Sequence, residues 1–206
     1  MAEAVVIIVD DDEAVRDSLE TLLEAEGFEP RTYGSAQQLL AASDLPDRGC
    51  LLLDVRMPDM DGLELQRTLV DRNVTLPIII MTGHGDVPIA VRAMKAGAAD
   101  FVEKPFAAEA IVAAIRQAIE RGPMRRVAAE PADEIKARID SLTPRERDVL
   151  DRLVAGRANK VIAFELDISP RTVEIHRARV MEKMQARNLS HLVRLSLAAG
   201  ILPATL

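Results

Sequence analysis

In the stretch "VVIIVDDDEAVR", residues 5 to 16, five apolar residues run directly into three aspartates. Like charges in sequence repel, and capping the helix that begins near Glu13 takes only one of them. The other two call for a cation. Further along the chain, Asp54 closes the apolar run "CLLLD", Thr82 closes "PIIIMT", and Lys104 follows "DFVE". Oxygen ligands of this hardness favour magnesium, which assigns Asp10, Asp11 and Asp54 to a divalent cation site with Lys104 as a second positive charge. The same set suits phosphoryl transfer: a carboxylate attacks phosphorus while cations neutralise charge spreading over the equatorial oxygens. Asp54 is the nucleophile of that reading. Thr82 would donate its hydroxyl to one phosphoryl oxygen and Lys104 would pair with another.

These residues need elements that bring them together. Apolar runs at 5–9, 50–54 and 77–83, a weaker strand near 28–33 and the stretch "DFVEKP" at 100–105 alternate with helical patterns near 13–26, 35–42, 62–71, 87–96 and 107–120. Such alternation predicts a doubly wound α/β fold, a parallel five-stranded sheet with helices on both faces. The central runs lack polar alternation, as strands buried on both faces should. Ligands of such a sheet bind outside the carboxyl ends of the strands, where Asp10, Asp11, Asp54, Thr82 and Lys104 all stand. Taken singly, each is an ordinary cap or loop charge; as a set at strand ends, they are a site. Strand order is not legible from the alternation. Lys104 precedes Pro105, a place where a cis bond can occur.

Composition bounds the rest. The chain has 206 residues, 49% of them apolar, enough for two small domains with their own cores. The single cysteine, Cys50, excludes an internal disulfide and reads as a small buried apolar residue in a reducing compartment. No apolar run approaches the roughly 20 residues of a membrane span, and no basic leader precedes an apolar one, so a soluble cytoplasmic protein with no membrane partner is expected. The net charge of −7 is unevenly spread. Residues 1–122 hold 22 acidic against 11 basic residues, net −11, while residues 123–206 hold 11 against 15, net +4. A basic second half hints at a polyanion.

That half opens after Gly122 and Pro123 with a polar, alanine-rich linker, expected to turn helical from about Pro131. Thr143, Pro144 and Glu146 then form a capping-box pattern, with proline at the first helical position. A short helix near 159–165 and a second one opened by Ser169 and Pro170 flank a tight turn, the pattern of a helix-turn-helix whose second helix enters the major groove. Val173, Val180 and Met184 fall on its inner face with His176 or Arg177 at the edge. Arg171, Glu174, Ile175, Ala178 and Glu182 fall outside. Ile175, apolar among polar neighbours, suits contact with a thymine methyl. Residues 169–187 hold five basic and two acidic side chains, and Lys160, Arg171, Thr172, Arg177, Arg179 and Lys183 complete the expected DNA-binding set, phosphate contacts supplying salt-sensitive affinity. No cysteine or second histidine stands at zinc spacing from His176.

"IVDDDEAVR", "LLLDVRMPDMDG" and "MTGHGDVPIAVRAMKAGAADFVEKPF" resemble the receiver domain of two-component response regulators across residues 3–121. "LTPRERDVLDRLVAGRANKVIAFELDISPRTVEIHRARVMEKM" resembles the LuxR-type DNA-binding domain, and "SHLVRLSLAAG" its fourth, dimer-forming helix. Together they resemble the FixJ/NarL group, both halves nearest its FixJ branch. The resemblance implies a receiver at 1–121, a partly helical linker at 122–140 and an all-α helix-turn-helix domain at 141–206. It implies that Asp54 accepts a phosphoryl group from a histidine kinase and that Asp10, Asp11, Asp54 and the Arg56 backbone carbonyl hold Mg2+. Thr82 and Lys104 then read the phosphate, and Phe101 falls at the aromatic switch position. Homodimerisation on phosphorylation, binding to double-stranded DNA and contact with RNA polymerase follow, with transcription regulation, activation above all, as the outcome. Glu174 departs from a purely basic reading helix. Two rivals fit the same residues: a magnesium-dependent phosphatase, which usually carries a second acid where this chain has Arg56, and a docking adaptor whose helical half binds no DNA.

Overall fold

The structure, a computed structural model, describes residues 4–42, 44–83, 87–122 and 131–201. The chain divides into two compact units, residues 1–84 with 95–125 and residues 85–94 with 126–206. The polar linker stretch at 123–130 lies outside the described residues.

In the first unit, β1 (Val5–Val9), β2 (Glu29–Tyr33), β3 (Gly49–Asp54), β4 (Ile78–Thr82) and β5 (Asp100–Glu103) form one sheet in the order β2-β1-β3-β4-β5. Every pairing is parallel. The order supplies what the alternation left open: β1, β3 and β4 are the three central strands, and every residue of each is buried. The helices up to residue 121 are α1 (Glu13–Ala25), α2 (Ala36–Ala41), α3 (Gly62–Asp71), α4 (Val87–Lys95) and α5 (Ala108–Arg121), of which α4 groups with the second unit. Each lies within about two residues of its expected span.

One face of the sheet presents Val6, Ile8, Cys50, Leu52, Ile79 and Met81 to Leu19 and Leu23 of α1 and to Ile111, Ile115 and Ala118 of α5. Alternation sends Ile7, Leu51, Leu53 and Ile80 to the opposite face, where they too are fully buried. Burial pushes the Cys50 thiol up to about 12. The edge strand β2 (EPRTY) is only half-buried, which is why its signal in the sequence is the weakest.

Helix starts follow their caps. Asp12 accepts from the Ala14 amide, Ser35 from Gln38 and Asp61 from Glu64. Gly62 has a different reason to be glycine: a β-carbon there would fall 2.2 Å from the Asp54 carbonyl oxygen, so the start of α3 packs directly on the end of β3. The expected run at 100–105 stops at Glu103, and the Lys104–Pro105 peptide bond is cis.

The helical part comprises α6 (Ala132–Asp140), α7 (Pro144–Val154), α8 (Asn159–Leu166), α9 (Pro170–Lys183) and α10 (Leu189–Ala198). Thr143 and Glu146 form the reciprocal capping box with Pro144 at the first helical position. Asp167, in the left-handed conformation at φ 53°, closes α8, and the Ser169 hydroxyl accepts from the Thr172 amide to open α9 two residues later. This is the helix-turn-helix. Leu150, Leu153, Ile162, Val173, Val180, Met184, Leu192 and Val193 are all fully buried and make its core.

Candidate phosphoacceptor site and nucleic-acid interface

The parallel register gathers the chemistry. Val9 pairs with Leu53 across β1 and β3, so the residues that follow, Asp10 and Asp54, emerge side by side. Asp54 pairs with Met81, and Thr82 with Glu103, which sets Thr82 and then Lys104 one step further along. The Lys104 amide donates to the Thr82 carbonyl at 2.7 Å and fixes that last step.

Lys104 Nζ bridges the pocket, donating to Asp10 Oδ2 and to Asp54 Oδ1 at 2.6 Å each. The other oxygen of each carboxylate meets a backbone amide: Asp10 Oδ1 accepts from Asp12 at 3.0 Å, and Asp54 Oδ2 from Arg56 at 2.6 Å. Asp10 and Asp54 are buried, whereas Asp11 is exposed. Candidate ligand oxygens of all three lie within 4.8 Å of one another. Three carboxylates around one ammonium leave two negative charges uncompensated, so the donor set fits a hard divalent cation such as Mg2+.

The fields on the two central groups differ in origin. Burial pushes the Asp10 carboxyl above its ordinary value, against the hydrogen bonds from Lys104 and Asp12 and with the Asp54 charge adding to the rise. For Lys104, burial is the largest single influence and acts downward, but hydrogen bonds and charges from Asp10 and Asp54 together outweigh it and hold the ammonium above its ordinary value. The Thr82 hydroxyl is buried and meets the Gly83 carbonyl only at 3.4 Å, too long to hold it firmly. It is therefore ready for another acceptor. Phe101 is half-buried on β5.

The three aspartates of the opening run have separate tasks. Asp10 faces the pocket, Asp11 stands at its open side, and Asp12 caps α1.

In the helical part, Arg171, Glu174, Ile175, Ala178, Arg179 and Glu182 are exposed along α9, and Lys160 is exposed on α8. Thr172, His176 and Arg177 are half-buried. Ile175, 48% exposed, is one of the large apolar side chains left in solvent. An exposed, mostly polar helix with one large apolar member, preceded by a capped tight turn, has the shape and chemistry of a reading helix.

A family model described as "Response regulator receiver domain" matches residues 6–116, and one described as "Bacterial regulatory proteins, luxR family" matches residues 140–196. "Transcriptional regulatory protein FixJ" of Rhizobium meliloti is 50% identical over 99% of this chain and 100% of its own length. "Response regulator protein TmoT" of Ectopseudomonas mendocina is 44% identical over 94% of this chain and 88% of its own. A crystal structure of full-length FixJ from B. japonicum is similar over 98% of this chain and 100% of that one, with 49% identity and a TM-score of 0.57.

The chain belongs to the response regulators of the FixJ/NarL group. This response regulator is thus a DNA-binding transcription regulator of a two-component system, not an enzyme of the phosphatase class. Among its described residues no helix is long and apolar enough to cross a membrane.

Two features of the regulator were not legible in its sequence. Lys183, expected among the DNA contacts, is held inside its own domain: Nζ donates to Glu146 Oε2 at 2.6 Å and to the Ser141 carbonyl at 3.2 Å. Its charge is satisfied by a buried carboxylate at the start of α7, so it is set apart from the exposed candidates for DNA contact. The other is Arg16, whose guanidinium reaches back from α1 to the carbonyls of Asp10 and Asp11 at 2.8 and 3.0 Å. Its position one turn after the Asp12 cap was the available signal, but a basic residue there reads equally as a solvated charge.

Proposed function

We propose that this response regulator is switched by phosphorylation of Asp54 from a histidine kinase, and that the phosphorylated form pairs through its receiver and activates transcription. The observation that supports the reading is the bridge from Lys104 to both Asp10 and Asp54. It presents a carboxylate oxygen beside an ammonium already placed to take up the charge of an incoming phosphoryl group. Asp54 supplies the attacking oxygen, the bond from phosphorus to the kinase histidine breaks, and the freed imidazole nitrogen takes a proton. Thr82 donates its hydroxyl to one phosphoryl oxygen and Lys104 its ammonium to another. Asp10, Asp11, Asp54 and the Arg56 carbonyl would hold Mg2+, which when bound supplies charge neutralisation at the transferring oxygens. Phe101 follows Thr82 inward as the hydroxyl closes on the phosphate.

The functional division follows the sequence boundaries, a receiver at 1–121, a linker at 122–140 and a DNA-binding domain at 141–206, in a cytoplasmic protein. Lys160, Arg171, Thr172, Arg177 and Arg179 contact phosphates while Glu174 and Ile175 face base edges, with RNA polymerase as the downstream partner. Intact mass after acetyl phosphate treatment, with and without Mg2+, tests the switch. One Mg2+-dependent phosphoryl adduct, absent in Asp54→Asn and accompanied by tighter duplex binding, is expected. No adduct with any donor would refute it.

A further inference from the structure

We infer that Arg16 is a positioning residue for cation capture, acting through the backbone that carries two of the ligand carboxylates. The inference rests on the reading of the pocket as a Mg2+-dependent phosphoacceptor site. Arg16 Nη1 donates to the Asp10 carbonyl at 2.8 Å and to the Asp11 carbonyl at 3.0 Å. Those two carbonyls belong to the peptide planes on either side of the Asp11 α-carbon. One guanidinium therefore fixes both planes and with them the direction in which the Asp11 side chain leaves the chain. Asp11 needs this help more than its neighbours. Asp10 is tied by Lys104 and by the Asp12 amide, and Asp54 by Lys104 and the Arg56 amide, whereas the exposed Asp11 carboxylate makes no hydrogen bond or ion pair within the described residues.

Arg16 is itself well anchored. It stands four residues after Asp12, and its amide donates to the Asp12 carbonyl at 3.1 Å within the first turn of α1. Its guanidinium lies against Gly34 in the turn after β2, where an added β-carbon would meet Nη1 at 3.5 Å. That turn is in turn held to the pocket by the Asp10 amide, which donates to the Tyr33 carbonyl at 3.2 Å. The arginine thus closes a ring from the end of β1, through the capped start of α1, to the turn after β2. A pre-aimed carboxylate loses less freedom when it takes a cation, so the ring favours binding without touching the metal.

Calorimetric titration of Mg2+ into the full chain tests this, paired with acetyl phosphate labelling at varied Mg2+. Arg16→Ala is expected to weaken Mg2+ binding by about tenfold, the usual effect of losing an outer partner of a metal ligand. Arg16→Lys, which keeps a donor of shorter reach, should fall between. The Mg2+ concentration for half-maximal labelling should rise in step while the labelling ceiling at saturating Mg2+ is retained. Unchanged Mg2+ affinity in Arg16→Ala would overturn the inference, as would affinity and ceiling collapsing together with the melting temperature, the mark of mere structural damage. Wild-type protein that binds Mg2+ yet takes up no phosphoryl group would defeat the phosphoacceptor reading and leave the Arg16 test standing. Wild-type protein that binds no Mg2+ would defeat both.

Discussion

Lys104 sets its ammonium between two buried carboxylates, and its removal leaves them facing each other. Lys104→Ala is expected to cost about 2–3 kcal/mol in metal-free buffer, below the usual range for an orphaned buried pair because the lysine is a quarter exposed. A divalent cation neutralises the same oxygens, so adding Mg2+ should raise the melting temperature of Lys104→Ala by more than that of the wild type. Equal shifts would mean that lysine and cation do not share the carboxylates. On the reading helix, Arg171→Ala should weaken binding to all duplexes alike and flatten the dependence of log affinity on log salt by about one unit. Ile175→Ala should instead relax discrimination at a single base position, measured by binding to a set of singly substituted operators. That Asp10, Asp54, Thr82 and Lys104 come together was legible because they close successive strands of one parallel sheet as a set, though each alone reads as a cap or loop charge. Lys183 was not, because a charge in a sequence names no partner, and Glu146 lies 37 residues away.

Elements bring their own constraints. At Gly62, a methyl group would meet the Asp54 backbone at 2.2 Å, and neither β3 nor the start of α3 can give way without moving Asp54. Gly62→Ala should therefore lower stability by about 2 kcal/mol or more and also slow phosphoryl uptake, read by melting and by intact mass. In the helical domain, Glu146 joins the start of α7 to the end of α9. The hydrogen bond from Lys183, then that from the Thr143 backbone, lower its carboxyl to about 2 from the ordinary 4.5. A depressed carboxyl stabilises the fold above its unfolded value and loses that contribution as pH falls. Glu146→Gln should thus melt below wild type at pH 7, with the gap closing between about pH 4.5 and pH 2 and not above. Helix spans were legible from caps and apolar spacing. The edge strand was faint because β2 buries too little to impose a pattern, and β5 ends at Glu103, one residue short of Lys104.

At the scale of the whole molecule, an acidic part of net −11 joined to a basic part of net +4 favours DNA only through the second. Pairing of receivers would set two reading helices on one duplex, so phosphorylation should convert a monomer to a dimer in sedimentation and steepen binding to operators with two half-sites. A monomer unchanged by phosphorylation would sink that coupling. The two-part architecture was legible because each part has its own periodicity, but strand order was not, since parallel crossovers of either sequence leave the same alternation.

The buried thiol in the central strand has a practical consequence. Cys50 is the single cysteine, it stands four residues before Asp54 on β3, and the chain has no tryptophan to report its state. A thiol reagent can reach Cys50 only when β3 is bared, so the rate of labelling is a clock for the opening of the strand that ends in Asp54. Slowing of that clock by Mg2+ or by phosphorylation would measure, in the unmodified protein, how firmly each one closes the sheet.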